Sequence, residues 1–212
     1  MLCFDYGHGG KDPGAVYLNR READDNLRLG QRVAALLRQQ GIQVDETRNA
    51  DVTRELPARS SFANQKNYAY LVSFHRNAHQ PERAKGAETF VHAKASPKAR
   101  SLAARLQRVM TAQGFVDRGV KTANFHMLRA TKAPAVLLEV GFVDSTADNR
   151  LFDARFEALA AGFAAAILAE LGIVPKKVSY KVVAGVFGEK REAEAVVERL
   201  KGLGLLPRLE DV

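Results

Sequence analysis

Only one cysteine, Cys3, occurs in the 212 residues. An internal disulfide and any cysteine-rich metal site are thereby excluded. No apolar run approaches the roughly 18 residues needed to cross a bilayer, so no membrane-spanning helix is expected. Nor is a secretory leader expected, because the opening apolar run Leu2-Cys3-Phe4-Asp5-Tyr6 is too short for one and leads straight into glycines. Aromatic residues make up only 8%. They are too few to interleave with the basic side chains, and no nucleic-acid-binding motif is present, so no nucleic-acid partner is expected. Internal repeats and low-complexity tracts are also missing. What is there is an ordinary globular composition, 46% hydrophobic and 26% charged. The length suits one full domain with a small appendage, and the apolar content can build its core. The 32 Lys and Arg against 24 Asp and Glu leave a net charge of +8, which points to a polyanionic partner without naming it.

Apolar runs and helical periodicities alternate along the chain. Leu2 to Tyr6 reads as a buried strand that exits into Gly7-His8-Gly9-Gly10. A helix is expected from Glu22, with Leu29, Val33, Leu36 and Leu37 on one face and Gly41 at its end. Strands are expected at Ile42 to Thr47, Tyr68 to Phe74, Glu88 to His92 and Ala135 to Val140, with a helix over Leu56 to Asn67. Ser96-Pro97 opens another helix, and a last one carries Phe156, Leu159, Phe163 and Ile167 before Gly172. This alternation predicts an α/β fold, a mixed but mostly parallel sheet flanked by helices on both faces. The expected division is a main α/β domain over 1–173, a linker over 174–177 and a small β-α segment over 178–212. Functional groups of such sheets gather beyond the carboxyl ends of the strands. His8, His75 and Glu139 all fall at or near such ends.

Each of these residues has an ordinary reading. Glu22 complements the positive end of its helix, and His75 is a hydrogen-bonded loop histidine. Glu139, at the end of an apolar run, needs a partner to offset its burial. Taken together they make a different set. Two histidines and a glutamate form a ligand set of the kind that holds a catalytic zinc with one position open for water. A further carboxylate must then carry the proton, and Glu139, its pKa raised by apolar surroundings, suits that task. Asp5 and Asp12 are candidate acceptors for orienting the His8 ring.

The same residues carry a family resemblance. Asp5-Tyr6-Gly7-His8-Gly9-Gly10-Lys11-Asp12-Pro13-Gly14-Ala15 is followed by Glu22, Thr47-Arg48, Arg59 to Asn64, Ser73-Phe74-His75-Arg76-Asn77, Gly86-Ala87-Glu88-Thr89-Phe90 and Glu139-Val140-Gly141-Phe142. In that order and spacing the chain resembles the zinc-dependent N-acetylmuramoyl-L-alanine amidases of the third amidase family, over roughly residues 1–173. The resemblance implies one zinc bound by His8, Glu22 and His75, with Glu139 as the catalytic carboxylate. It implies hydrolysis of the amide joining N-acetylmuramic acid to L-alanine in peptidoglycan. Asn77 is a weaker candidate for substrate contact, with fixing of its loop the better reading. Regulated members carry an occluding helix for which Gly114 to Asn124 is too short, so an open site is expected, as in endolysins and spore or mother-cell lytic enzymes. With no leader expected, release by lysis or a holin-type pore is expected to bring the enzyme to the wall.

Two alternatives stay open at this point, a zinc peptidase acting on wall peptides and a non-catalytic wall-binding protein. The 14 positions between His8 and Glu22 disfavour a carboxypeptidase, whose ligands usually lie a few residues apart. The tail from Val178 to Phe187 and Ala193 to Gly204 resembles half of a sporulation-related peptidoglycan-binding repeat. It is expected to bind wall or to pair with a second copy, since an open strand edge invites partnering. Peptidoglycan, with anionic wall polymers beside it, is the expected partner, and no membrane is. His79, His92 and His126 are expected to be surface or structural residues, Cys3 a small buried apolar residue, and Glu88 a structural group at a strand edge.

Overall fold

The computed structural model describes residues 1–176, 184–204 and 207–209. The chain divides into two compact units, Met1–Pro175 and Lys176–Val212. The first unit runs β1 (Leu2–Tyr6), β2 (Val16–Tyr17), β3 (Arg20–Arg21), α1 (Glu22–Gln39), β4 (Val44–Glu46), α2 (Leu56–Ala63), β5 (Leu71–Asn77), β6 (Ala87–Val91), α3 (Pro97–Ala112), β7 (Asp117–Thr122), α4 (His126–Arg129), β8 (Ala135–Phe142), α5 (Thr146–Ala154) and α6 (Phe156–Glu170). Six strands form one sheet in the order β4-β1-β5-β8-β6-β7. Neighbours are parallel except β6 and β8, which run antiparallel. The mixed, mostly parallel sheet with helices on both faces is the architecture expected.

Strand alternation decides which side of the sheet can hold a site. Leu2, Phe4 and Tyr6 of β1, Val72 and Phe74 of β5, and Val136, Leu138 and Val140 of β8 share the larger core with residues of α1, α3 and α6. The intervening residues must face the other way. There Cys3, Leu71, Ala135 and Leu137 pack with Ala63 of α2 and Met127 and Leu128 of α4. Among the described residues of the first unit, this second face packs against two short helices, α2 and α4. Asp5, Ser73, His75 and Glu139 continue its alternation toward the carboxyl ends of the strands, with Asp5 and Ser73 buried and His75 partly exposed.

The helices follow from their sequences. In α1, Glu22, Asp24 and Asp25 occupy the first turn and offset the positive end of the helix. Leu29, Val33 and Leu37 supply the buried stripe, and Gly41, at φ 82°, ends it. Gly30 lets α1 close onto the sheet, since a Cβ there would stand 2.0 Å from the Tyr6 ring. In α3 the Ser96 hydroxyl accepts from the Ala99 amide, capping the helix.

Several elements differ from expectation. β5 starts at Leu71 rather than Tyr68 and continues through His75 to Asn77, because its ladder with β8 pairs His75 with Glu139 and Asn77 with Phe142. Pairing, not the end of the apolar run, sets its length. α2 stops at Ala63, four residues early. The Asn64 side chain bonds Ala130 O and the Lys132 amide and turns the chain away. β4 is shorter than expected, and Glu139 lies inside β8. The β2–β3 hairpin, β7, α4 and α5 have no counterpart in the sequence reading. β7 is polar and mostly exposed, so no apolar run announces it.

In the second unit, α7 (Lys190–Gly202) is amphipathic in sequence and has no buried residue. The strand expected over Val178 to Phe187 lies largely outside the described residues, and residues 184–187 carry no strand.

Candidate functional site

The glycine-rich exit from β1 turns sharply. His8 itself adopts a left-handed backbone (φ 62°), followed by Gly9 and Gly10, also at positive φ. Such a backbone is uncommon outside glycine, and here the surrounding structure imposes it. Two buried guanidinium groups impose it. Arg48 donates to Tyr6 O (2.8 Å), Gly7 O (3.0 Å) and Ala23 O (2.7 Å). Arg59 donates to Tyr6 O (2.6 Å), His8 O (2.6 Å) and Asp5 Oδ1 (3.0 Å). Close approach explains two of the glycines. A Cβ on Gly7 would lie 2.1 Å from the His75 ring, and one on Gly14 would lie 2.6 Å from Glu22 Oε2.

His8, Glu22 and His75 come together at this turn, with one ligand-capable atom from each lying within 4.8 Å of the others. His8 Nε2 is 3.2 Å from Glu22 Oε2, and His75 Nδ1 is 2.9 Å from Glu22 Oε1. Glu22 is buried and also accepts from the amides of Ala15 and Arg76 and from Asn26 Nδ2. Burial opposes its charge, but the two rings outweigh that cost and hold the carboxyl far below the usual range. Burial likewise disfavours a charged His75, yet the Glu22 carboxylate raises the ring to about 9. Two imidazoles sharing one carboxylate are suited to hold a cation, which would take the place of the shared protons. Of the two aspartates suggested for His8, Asp12 fits, its Oδ2 lying 2.8 Å from Nδ1. Asp5 does not. It accepts instead from Arg59, Ser73 Oγ (2.6 Å) and Thr47 Oγ1 (2.7 Å), tying β1 to β5 and β4.

Glu139 lies across the β5–β8 ladder from His75. Its Oε2 is buried and has no hydrogen-bond partner. Burial pushes the carboxyl up to about 8, opposed by His75 and reinforced by Glu22 and Glu88. On its other flank it pairs in register with Glu88. That carboxylate is bound by Asn77 Nδ2 (2.6 Å), Arg118 (3.2 Å) and Lys121. Asn77 Oδ1 accepts from the Ala78 amide, so both ends of its side chain are engaged. Arg76, beside His75, donates to Asp25 Oδ2 (2.5 Å), Val140 O and Phe142 O. His126 sits 2.9 Å from Ser60 Oγ, His79 is exposed, and Cys3 is buried with its thiol pushed up to about 12. Residues 114–124 contain β7 and no helix.

A family profile described as N-acetylmuramoyl-L-alanine amidase (Amidase_3) matches residues 2–169. The chain belongs to this amidase family. Among relatives of the family, it is 31% identical over 210 residues to the sporulation-specific N-acetylmuramoyl-L-alanine amidase of Bacillus subtilis (strain 168), covering 96% of this chain and 81% of that one. It is 36% identical over 154 residues to the endolysin of Bacillus phage SPP1, covering 68% of this chain and 55% of that one. The catalytic domain of CwlV, an N-acetylmuramoyl-L-alanine amidase from Bacillus (Paenibacillus) polymyxa var. colistinus, superposes with a TM-score of 0.75 at 33% identity, covering 82% of this chain and 98% of that chain. An N-acetylmuramoyl-L-alanine amidase from Clostridium difficile 630 gives 0.76 at 32%, covering 81% and 96%. The family placement agrees with the resemblance drawn from the motifs. No helix of the described residues is long and apolar enough to cross a membrane.

The roles of Arg48, Arg59 and Arg76 were not legible in the sequence. Thr47-Arg48 directly after a strand was the available signal, but nothing in a sequence tells which carbonyls a folded loop turns toward a guanidinium.

Proposed function

We propose that the protein hydrolyses the amide between the lactyl group of N-acetylmuramic acid and L-alanine in peptidoglycan, with zinc held by His8, Glu22 and His75. The observation that carries this proposal is Glu139, a buried carboxylate with an unpartnered oxygen, in register beside His75 of the ligand-capable triad. Zinc, when bound, supplies Lewis acidity, polarising the scissile carbonyl and making water acidic enough to attack near neutral pH. Glu139 in its ionised form accepts the proton of the attacking water and returns it to the departing alanine nitrogen. Asp12 holds His8 Nδ1 and leaves Nε2 free for the ion. The amides of Ala15 and Arg76 hold the Glu22 carboxylate aimed between the two rings. We assign Asn77 to holding Glu88 rather than to binding substrate.

Digestion of purified walls, with and without chelator, tests the proposal. New alanine amino termini are expected, without new reducing ends. They should vanish with chelator and return with zinc. New reducing ends, or release of D-alanine alone, would refute it.

For the tail we propose wall binding or pairing with a second copy. The alignment with the sporulation-specific amidase covers 96% of this chain and so extends into the tail. Sedimentation at high concentration separates the two, and a monomer removes the pairing.

A further inference from the structure

The pocket that contains His8 and His75 has a volume of about 200 Å³ and is also lined by Asp12, Thr53, Arg54 and Leu56. Arg54 lies in the loop between β4 and α2 and differs from three arginines of the surrounding elements, of which Arg59 also lines the pocket. Arg48 is committed to main-chain carbonyls, Arg59 to Asp5, and Arg21 to Asp24 and Asp51. Among the described residues Arg54 pairs with no carboxylate, not even that of its neighbour Glu55. Its Nε is buried and donates to nothing. Its head lies 5.1 Å from the centroid of the Phe62 ring, and its main-chain oxygen is fixed by Arg59 Nε (2.7 Å). An arginine so placed brings a guanidinium with no carboxylate partner among the described residues to the wall of the pocket that contains His8 and His75. The guanidinium fork matches one ligand chemistry best, a carboxylate bound through two parallel hydrogen bonds.

We propose that Arg54 is a specificity-determining residue that receives a carboxylate of the stem peptide on the leaving side of the scissile amide. This rests on the amidase reaction proposed above. The pocket is smaller than the roughly 300–1,000 Å³ of common ligand sites, so its lining groups face atoms within a residue or two of the bond that breaks. On the muramic acid side those atoms belong to a neutral sugar and its lactyl ether. On the peptide side, the residue after L-alanine is a glutamate joined through its side chain. Its main-chain carboxyl is free in some walls and amidated in others. Arg54 distinguishes the two, as a fixed cation favours the carboxylate over the neutral amide.

The test uses two muramoyl dipeptides that differ only in that group, carboxylate or carboxamide. The full chain should cleave the carboxylate form with the higher kcat/KM. Arg54→Gln should lower kcat/KM for the carboxylate form about 10- to 100-fold, chiefly through KM, and leave the carboxamide form unchanged. Arg54→Lys should restore part of the preference, since it keeps the charge without the fork. A parallel measurement is independent of turnover. Equilibrium binding of both dipeptides to Glu139→Gln, with and without Arg54→Gln, should show the same selective loss. Equal losses on both substrates, or an unchanged preference, would overturn the role of Arg54. Lack of cleavage of either substrate by the unmodified chain would overturn the amidase proposal instead, while the binding comparison still decides on Arg54.

Discussion

Glu139 stands between an imidazole and a second carboxylate in one row of the sheet, and its protonation is set by that row. Burial raises it, His75 pulls it down, and Glu88 raises it again. The cations on Glu88 offset part of its effect. An isosteric Glu139→Gln substitution keeps the packing and removes the proton acceptor. Hydrolysis is expected to fall by about 10²- to 10⁴-fold, with zinc content unchanged by metal analysis. Retention of most activity would take Glu139 out of proton transfer. That His8, Glu22 and His75 would come together was legible only from the ordered motifs taken as a set, since each residue alone has an ordinary reading. Asp5 could not be read correctly. Its sequence neighbourhood points to His8, and only the fold shows that Arg59, Ser73 and Thr47 claim it.

At the scale of elements, the β2–β3 hairpin stands immediately before Glu22. Its turn residues, Leu18 and Asn19, both have left-handed backbones, with φ of 47° and 64°. Asparagine tolerates this, whereas leucine does not, and Leu18 is 76% exposed and gains little packing in return. Leu18→Gly is therefore expected to stabilise the protein by about 0.5–1 kcal/mol in urea unfolding, after allowing for the entropy glycine loses. A destabilised variant would mean that the Leu18 side chain makes contacts worth more than the strain. Nothing in Val16 to Arg21 alternates long enough to announce a hairpin. Long periodic elements were legible, α1, α3 and β8 above all, because their buried faces repeat several times. Short or polar ones, such as β7 and α4, form because neighbouring strands and loops hold them.

At the scale of the whole molecule, the charge is unevenly placed. Between Thr89 and Leu138 there are nine Lys and Arg and a single acid, Asp117, so this stretch alone carries +8, equal to the net charge of the chain. The rest of the sequence is balanced. The basic stretch comprises most of β6 with α3, β7 and α4, an edge of the sheet and its covering helices. If it draws the protein to an anionic wall polymer, adsorption of the Glu139→Gln variant to walls should weaken steeply as salt rises from about 0.1 M to 1 M, where the screening length drops from about 10 to 3 Å. Adsorption indifferent to salt would rule out this attraction. Net charge predicted a polyanionic partner but said nothing of location.

The row His75, Glu139, Glu88 runs across three adjacent strands, each residue placed by its ladder partner. Side chains alternate along a strand, so one residue inserted into β8 ahead of Glu139 would turn the carboxylate to the opposite face of the sheet. An insertion of the same size in the loop after α3 would leave the row untouched. Length variation among descendants of this chain is thus confined to the loops, and the strands that carry the row must keep their count.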